Sequence, residues 1–536
     1  MAHLFLTDWL HRHDGIFFRL TTSLLVIVSL AYLTEFVRGL GDDPREPKRL
    51  RPRLPLIGHI LGSLRHGPAY YASTSTRTDE AMYAIDLLNV KMYVTKDIRL
   101  LPLIAKAHKI LSFAPFVKVS AEKIAGNSKP ACDLFNGPLL HDYSHSIKMT
   151  LSPGRPLDEM NMRTAQSSVL EIESLASAEK GKTILLLEWV RHAVIQATSH
   201  GIFGAEHPFL DLKVEKAFWD WQAHLPAHMA GLDLLGRADK AREIIHRSFI
   251  KYCSALPPDV SKVVYERQHI LRDGGMSLGD AAKQESSFCV AMFGNTVPTL
   301  YWTIYDLFSR PSLLAEVREE IKRAAVSEVT EKSEGAGASQ FVLDVAALKT
   351  KCPLLLSSFQ EVQRTHSIHA NIRKVITDTL LDDGRYLLRK GNYCLIPSPS
   401  VHESTLIWGE SAASFDPYRF MTKNVRDRSQ GDSKSRIPSP SSFLGWGTPP
   451  HLCPARQYAA TETFAMVALL ILQVDLVPSR NDGQWEKHPA ADTGGLVSVF
   501  NPKHEVEVEV KPREAAIRKW TLNMGESKVR IALASG

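Results

Sequence analysis

Several features that would place this chain quickly are scarce or missing. Its 536 residues hold only six cysteines, Cys132, Cys253, Cys289, Cys352, Cys394 and Cys453, far apart and with no Cys-x-x-Cys pair. That spacing argues against a disulfide scaffold or a structural zinc site and suits a reducing compartment. Charge of one sign is also in short supply. Sixty-four Lys and Arg stand against 58 Asp and Glu, a net +6, with much of the excess near residues 38–53. No stripe interleaves basic and aromatic residues, so no nucleic-acid partner is indicated. There is no internal repeat. Gly335 and Gly337 follow no strand, so they form no phosphate loop, and no flavin or nicotinamide fingerprint stands elsewhere. With 44% hydrophobic residues the chain can still build several hundred residues of packed core.

Long apolar runs are absent except near the N-terminus. Leu20 to Thr34 is uncharged, extended by Ile16, Phe17 and Phe18 on one side and by Phe36 and Val37 on the other. A span needs about 20 residues, reached here if Arg19 and Glu35 snorkel to the two interfaces. No small-residue cleavage site follows, so residues 1–40 read as an uncleaved anchor rather than a signal peptide; a helix lying in the interface is the alternative. Arg38, Arg45, Lys48, Arg49, Arg51 and Arg53 follow the run, which places the body on the cytosolic side. Residues 41–62, basic and proline-rich, read as a stiff hinge. Residues 63–515 read as one catalytic domain and 516–536 as a C-terminal tail.

Helical patterns dominate to about residue 365. Short strand patterns appear from Asn371 to Ile396 and in Glu505 to Val510, so the expected fold class is mainly α with a minor β portion. Val326 to Gln340 and Val425 to Ser442 are polar, turn-rich and read as surface loops. One helix stands out: from a capping-box-like Ser277 the pattern runs to Arg310, just before Pro311. About 33 residues at 1.5 Å each cross a large domain, and Pro298 bends the helix near Gly294, Asn295 and Thr296. A kink of this kind opens a groove for a ligand or is simply tolerated in a core helix.

The most informative stretch is Phe443 to Thr461, FLGWGTPPHLCPARQYAAT. A Gly/Pro-rich loop with little side-chain bulk can lie flat on a planar cofactor while the cysteine at its end, Cys453, points at the metal. Pro454 fits the first turn of a helix, whose dipole favours a thiolate at its N-terminus. The plain alternative is a small buried apolar residue.

These segments together resemble cytochrome P450, the haem-thiolate monooxygenase family, over nearly the whole chain. Trp446, Gly447 and His451 match the aromatic, glycine and basic positions before the family's cysteine ligand, while Pro449 and Ala455 replace two usual glycines. Glu361 and Arg364 match its Glu-x-x-Arg pair, and Arg419, within Phe415 to Phe420, completes a structural network implied to lie under the loop. Asn295, where an acidic residue usually precedes the kink threonine, is similar to the sterol 7α-/12α-hydroxylase and prostacyclin synthase branch, as are Ala370 to Arg373 and Trp446. The resemblance implies a microsomal, fungal biosynthetic member: a P450 fold (α+β) with an N-terminal transmembrane helix in the endoplasmic reticulum membrane.

The resemblance implies haem b on Cys453, with Trp446, Gly447, His451 and Arg373 contacting the cofactor. Asn295 and Thr296 are then the candidate catalytic pair, although an amide can hold water or a substrate oxygen but cannot supply a carboxylate's proton. The substrate pocket is expected to include Met292, Phe293, Ser367, Val497 and Val499, enough for a lipophilic sterol, terpenoid or other secondary metabolite. Electrons would come from an NADPH-cytochrome P450 reductase. The alternative activity is a haem-thiolate isomerase or dehydratase acting on an oxygenated substrate without dioxygen or reductase.

Overall fold

A computed structural model of the chain describes residues 2–87, 89–177, 181–330, 339–421, 439–525 and 528–535. It divides into two units, Met1–Ser112 with Asn371–Pro397 and Phe113–Ala370 with Ser398–Gly536. The first unit opens with a helix, Ala2–Leu40. Its segment Arg19–Leu40 is long and apolar enough to cross a membrane and buries nothing against the protein. Residues 41–62 are fixed by more than their prolines. Lys91 binds both Asp42 and Glu46 at 2.5 Å, Arg49 pairs with Asp42 and Asp86, and Lys48 pairs with Glu80 at 2.6 Å. Part of the basic excess that follows the anchor is therefore compensated locally. Behind the hinge lies a five-stranded sheet in the order Met82–Leu87, Val90–Thr95, Tyr393–Pro397, Ala370–Val375, Leu111–Ser112.

The second unit is helical. Its central helix is Leu278–Phe308, and Ser277 caps it: the Ser277 hydroxyl accepts from the Asp280 N–H at 3.0 Å and donates to the Asp280 carboxylate at 2.9 Å. The helix packs against Leu186–Phe203, Arg237–Ser254, Pro353–Thr365 and Arg456–Gln473, and its last third is buried all round. Arg267, from Lys262–Asp273, pairs with Glu285 in complete burial and lies 4.0 Å over the Phe288 ring. Removing either partner would strand a charge in the core.

One loop expected from the sequence differs in the structure. Val326–Thr330 and Ser339–Asp344 are strands paired antiparallel, and Ser339–Asp344 pairs in parallel with Lys519–Asn523. The polar composition of residues 326–340 concealed them, since the stabilising partner strand comes from some 180 residues away. Residues 331–338, with Gly335 and Gly337, lie outside the described residues, as do 422–438 of the second stretch. Near residue 510 the alternation holds: Val508 and Val510 are buried on the strand Glu507–Pro512, paired with Val474–Pro478 and Thr183–Leu185.

Candidate active site

The cysteine loop is closed by its own backbone. The Cys453 N–H donates to the Trp446 carbonyl at 2.8 Å, and the Gly447 N–H donates to Leu444 at 3.0 Å. Gly447 turns at φ +91°, a conformation that a side chain would strain, which accounts for glycine there. The helix Arg456–Gln473 begins three residues after the cysteine. Burial raises the pKa of the Cys453 thiol more than the Ala455 N–H and the Arg456 guanidinium lower it. Yet Cys453 and its neighbours from His451 to Gln457 are only half-buried. The thiol is thus desolvated although the residue keeps some surface. Beside it, the Trp446 indole N–H is buried without a partner, and such orphaned donors are uncommon in a finished core. A cysteine just before a helix N-terminus, a small-residue loop and an unused buried donor fit a planar iron porphyrin.

Beneath the loop, Glu361 accepts from Arg364 at 2.7 and 2.8 Å, from Arg419 at 2.9 Å and from the Asp416 N–H at 2.9 Å. Arg364 spends its remaining donors on the carbonyls of His402, Ala412 and Ser414 at 2.6, 2.6 and 3.0 Å. Arg419 reaches Ser411 and Ser414 in the same way. All three side chains are buried, so the charges are matched and the loops that receive them are fixed. His402 links this network to the cysteine loop. Its Nε2 accepts from the Leu444 N–H at 2.9 Å, so its Nδ1–H faces the Arg364 carbonyl at 3.2 Å. Burial pushes its pKa down to about 3, which keeps the ring neutral and able to accept.

Along the central helix, Phe288, Met292 and Asn295 are half-buried and Ala291 is exposed. These positions share one helical face, which forms an accessible wall. Asn295 holds that wall to a distant segment: its Oδ1 accepts from the Ser498 N–H at 2.6 Å. The donor's identity orients the amide, leaving Nδ2 as the group not used by Ser498. Ser498 in turn accepts from the Ile368 N–H at 2.8 Å, its hydroxyl lies 3.0 Å from His369 Nδ1, and Ser367 bridges Val499 antiparallel. The Trp302 indole donates to the Phe500 carbonyl at 2.8 Å and stacks on His366. The Thr296 hydroxyl donates back to the Met292 carbonyl at 2.8 Å.

Of the expected pocket residues, Met292 and Val497 are half-buried on these walls. Phe293 is not. It is fully buried, edge-on to Phe209 and Phe218 at 5.4 and 5.2 Å, because one residue along a helix turns a side chain by about 100° into the core. Ser367 and Val499 are also buried, in their mutual bridge. Arg373 lies on the strand Ala370–Val375 of the first unit, where burial lowers its guanidinium pKa. The His451 ring lies tilted against Phe113, centroids 5.7 Å apart. Sequence reasoning missed Gln222. Its half-buried amide reaches within 2.8 Å of where a Cβ on Gly294 would stand, with Val497 beside it. No local pattern signals a contact across 72 residues.

A mainly helical body, a cysteine that ends a small-residue loop at a helix N-terminus and a buried Glu-Arg-Arg brace define a haem-thiolate enzyme. Comparison with known proteins agrees. The cytochrome P450 family model matches residues 239–504. A cytochrome P450 monooxygenase of Hypoxylon pulicicidum, nodJ, is 30% identical over 528 residues, covering 96% of this chain and 99% of the relative. One from Gibberella zeae is 26% identical, with 92% and 94% covered. Rat cytochrome P450 7A1 is 26% identical over 53% of this chain and 56% of its own length. The haem domain of a cytochrome P450DA mutant has the same fold, with a TM-score of 0.60 at 15% identity over 88% of this chain and 98% of that structure. The chain belongs to the cytochrome P450 family and is a haem-dependent monooxygenase of that family.

Proposed function

We propose that this enzyme oxidises a large lipophilic substrate of the sterol or terpenoid kind, anchored by its first helix in the endoplasmic reticulum membrane with its body in the cytosol. An NADPH-cytochrome P450 reductase is the proposed electron source. The observation that carries the substrate class is the accessible, largely apolar helix face of Phe288, Ala291 and Met292, with Val497 and the amides of Asn295 and Gln222 close to its Gly294–Asn295 end. Such a wall selects a mostly apolar molecule with one or two oriented oxygens. When bound, haem supplies the oxygen and electron chemistry of the family, and the Cys453 thiolate favours O–O cleavage. The remaining work falls to this chain. Trp446, Gly447 and His451, around the ligand cysteine, would hold the cofactor. Asn295 keeps the Ser498 segment closed with Oδ1 and offers Nδ2 to water or to a substrate oxygen. Thr296, whose hydroxyl donates to the Met292 carbonyl, can still accept a hydrogen bond.

The test is expression of the full chain with and without Cys453→Ala. The reduced, CO-bound wild type should show the red-shifted Soret band of a thiolate ligand, and the variant should lose it. An untargeted metabolite comparison of cells with and without the gene should then reveal a substrate whose oxidation requires NADPH and reductase. Turnover of a hydroperoxide or endoperoxide without either would replace this proposal by the isomerase reading.

A further inference from the structure

The last described residues pack against the body in an ordered way. Ile531, Leu533 and Ser535 are buried, while Lys528, Arg530 and Ala532 are exposed, the period-2 alternation of an extended segment with one face inward. Three anchors hold it. The Gln457 side chain makes a two-point contact with Ile531, Oε1 accepting its N–H at 2.8 Å and Nε2 donating to its carbonyl at 3.0 Å. Gln360 Oε1 accepts from the Ala534 N–H at 2.5 Å. Ala534 also packs on the cluster of Trp408, Ala412 and Phe443.

Each anchor belongs to a support of the cysteine loop. Gln457 stands in the first turn of the helix that begins just after Cys453. Gln360 immediately precedes Glu361, the centre of the Glu-Arg-Arg brace. Trp408 gives its carbonyl to Arg419, Ala412 gives its own to Arg364, and Phe443 precedes Leu444, which His402 holds. A segment remote in sequence from the loop thus ties together the three pieces that set the sulfur's position. Two amide side chains are also committed to it. Without the segment, Gln457 and the nearly inaccessible Gln360 lose backbone partners that water replaces poorly in a buried setting.

We infer that residues 528–535 are a strap that positions the thiolate ligand, with Gln457 and Gln360 as positioning residues. They touch neither substrate nor the reacting atoms. Their effect passes through the first turn of the cysteine helix and through the brace, so it should appear in the state of the ligand before it appears in global stability. This inference rests on the haem-thiolate reading of Cys453.

The experiment compares the full-length holoprotein with a variant lacking residues 528–536 and with Gln457→Leu, which removes both contacts at similar volume. The reading is the rate at which the reduced CO complex loses its red-shifted Soret band for the blue-shifted band of a displaced or protonated thiolate, at a temperature well below global unfolding. Conversion about tenfold faster is expected in both variants, the loss of two modest hydrogen bonds. A synthetic peptide spanning residues 528–536 should slow it again in the truncated protein. Unchanged conversion in Gln457→Leu and in the truncated chain overturns the strap; if the truncated chain fails to fold, Gln457→Leu alone decides. Should the full chain itself lack the thiolate band, the haem-thiolate reading has failed. Amide exchange across residues 453–461, which needs no haem, then decides the strap: faster exchange in the variants upholds it and equal exchange rejects it.

Discussion

Glu462, nine residues beyond the ligand cysteine, is a fully buried carboxyl whose recorded partner is the Thr198 hydroxyl. Burial pushes its pKa up to about 8 from 4.5. The folded state therefore keeps a proton that the unfolded chain releases, and stability falls as pH rises from about 4.5 to about 8. Glu462→Gln keeps an acceptor for Thr198 and removes that dependence. The variant should match the wild type near pH 4.5 and exceed it by on the order of a few kcal/mol at pH 8, read from urea unfolding at the two pH values. A variant whose advantage does not grow with pH would show that this carboxyl is ionised in the fold. Arg364 is a second single-residue test. Its guanidinium serves Glu361 and three carbonyls in one plane, a geometry that the three donors of a lysine cannot reproduce. Arg364→Lys should cost about 3 kcal/mol or more and lower the haem retained per polypeptide after gel filtration. Full haem content at wild-type stability would contradict the brace.

At the scale of elements, the helix crossing of Arg155–Ala176 with Leu186–Phe203 depends on Gly201. A Cβ there would stand 1.9 Å from the Thr164 hydroxyl and 3.0 Å from the Met160 carbonyl, and that hydroxyl is already bonded to Tyr458 at 2.7 Å. Gly201→Ala should destabilise by about 1–3 kcal/mol despite alanine's better helix propensity; a stabilised variant in thermal unfolding would show that the helices can separate freely. The central helix offers a subtler probe. Asn295→Asp keeps an acceptor for the Ser498 N–H, whereas Asn295→Leu removes it, so the Ser498 amide should exchange at least about tenfold faster only in the leucine variant. The long helix, its Ser277 cap and the strand near residue 510 were legible in the sequence because caps, prolines and alternation are local. Phe293 was misplaced because the helical pattern around it is apolar on several sides, so periodicity does not say which face meets the cavity. The tie between Asn295 and Ser498, and the strands on either side of residues 331–338, depend on partners far along the chain. Composition carries no trace of them.

The molecule as a whole joins a body whose apolar side chains are buried to a leading helix whose apolar side chains are not. Leu24, Leu25, Ile27 and Leu33 are each more than half exposed, and no residue of the span Arg19–Leu40 is buried. Left in water, that surface would cost about 25 cal/mol for every Å² of apolar area, more than a marginally stable domain can leave unsatisfied without aggregating. A bilayer removes the cost and leaves the body unchanged, because no residue of the span is needed to complete a core. The full chain should therefore sediment with membranes and stay there through alkaline carbonate. A variant lacking residues 2–40 should keep the thiolate Soret band, since Cys453, Glu361 and Asn295 all lie in the other unit. It should also be released by carbonate, with whatever attachment the exposed Leu54, Ile57, Leu61 and Leu64 provide being peripheral. Carbonate resistance after the deletion would place the anchor elsewhere in the chain, and loss of the Soret band would show that the first helix contributes to the haem site.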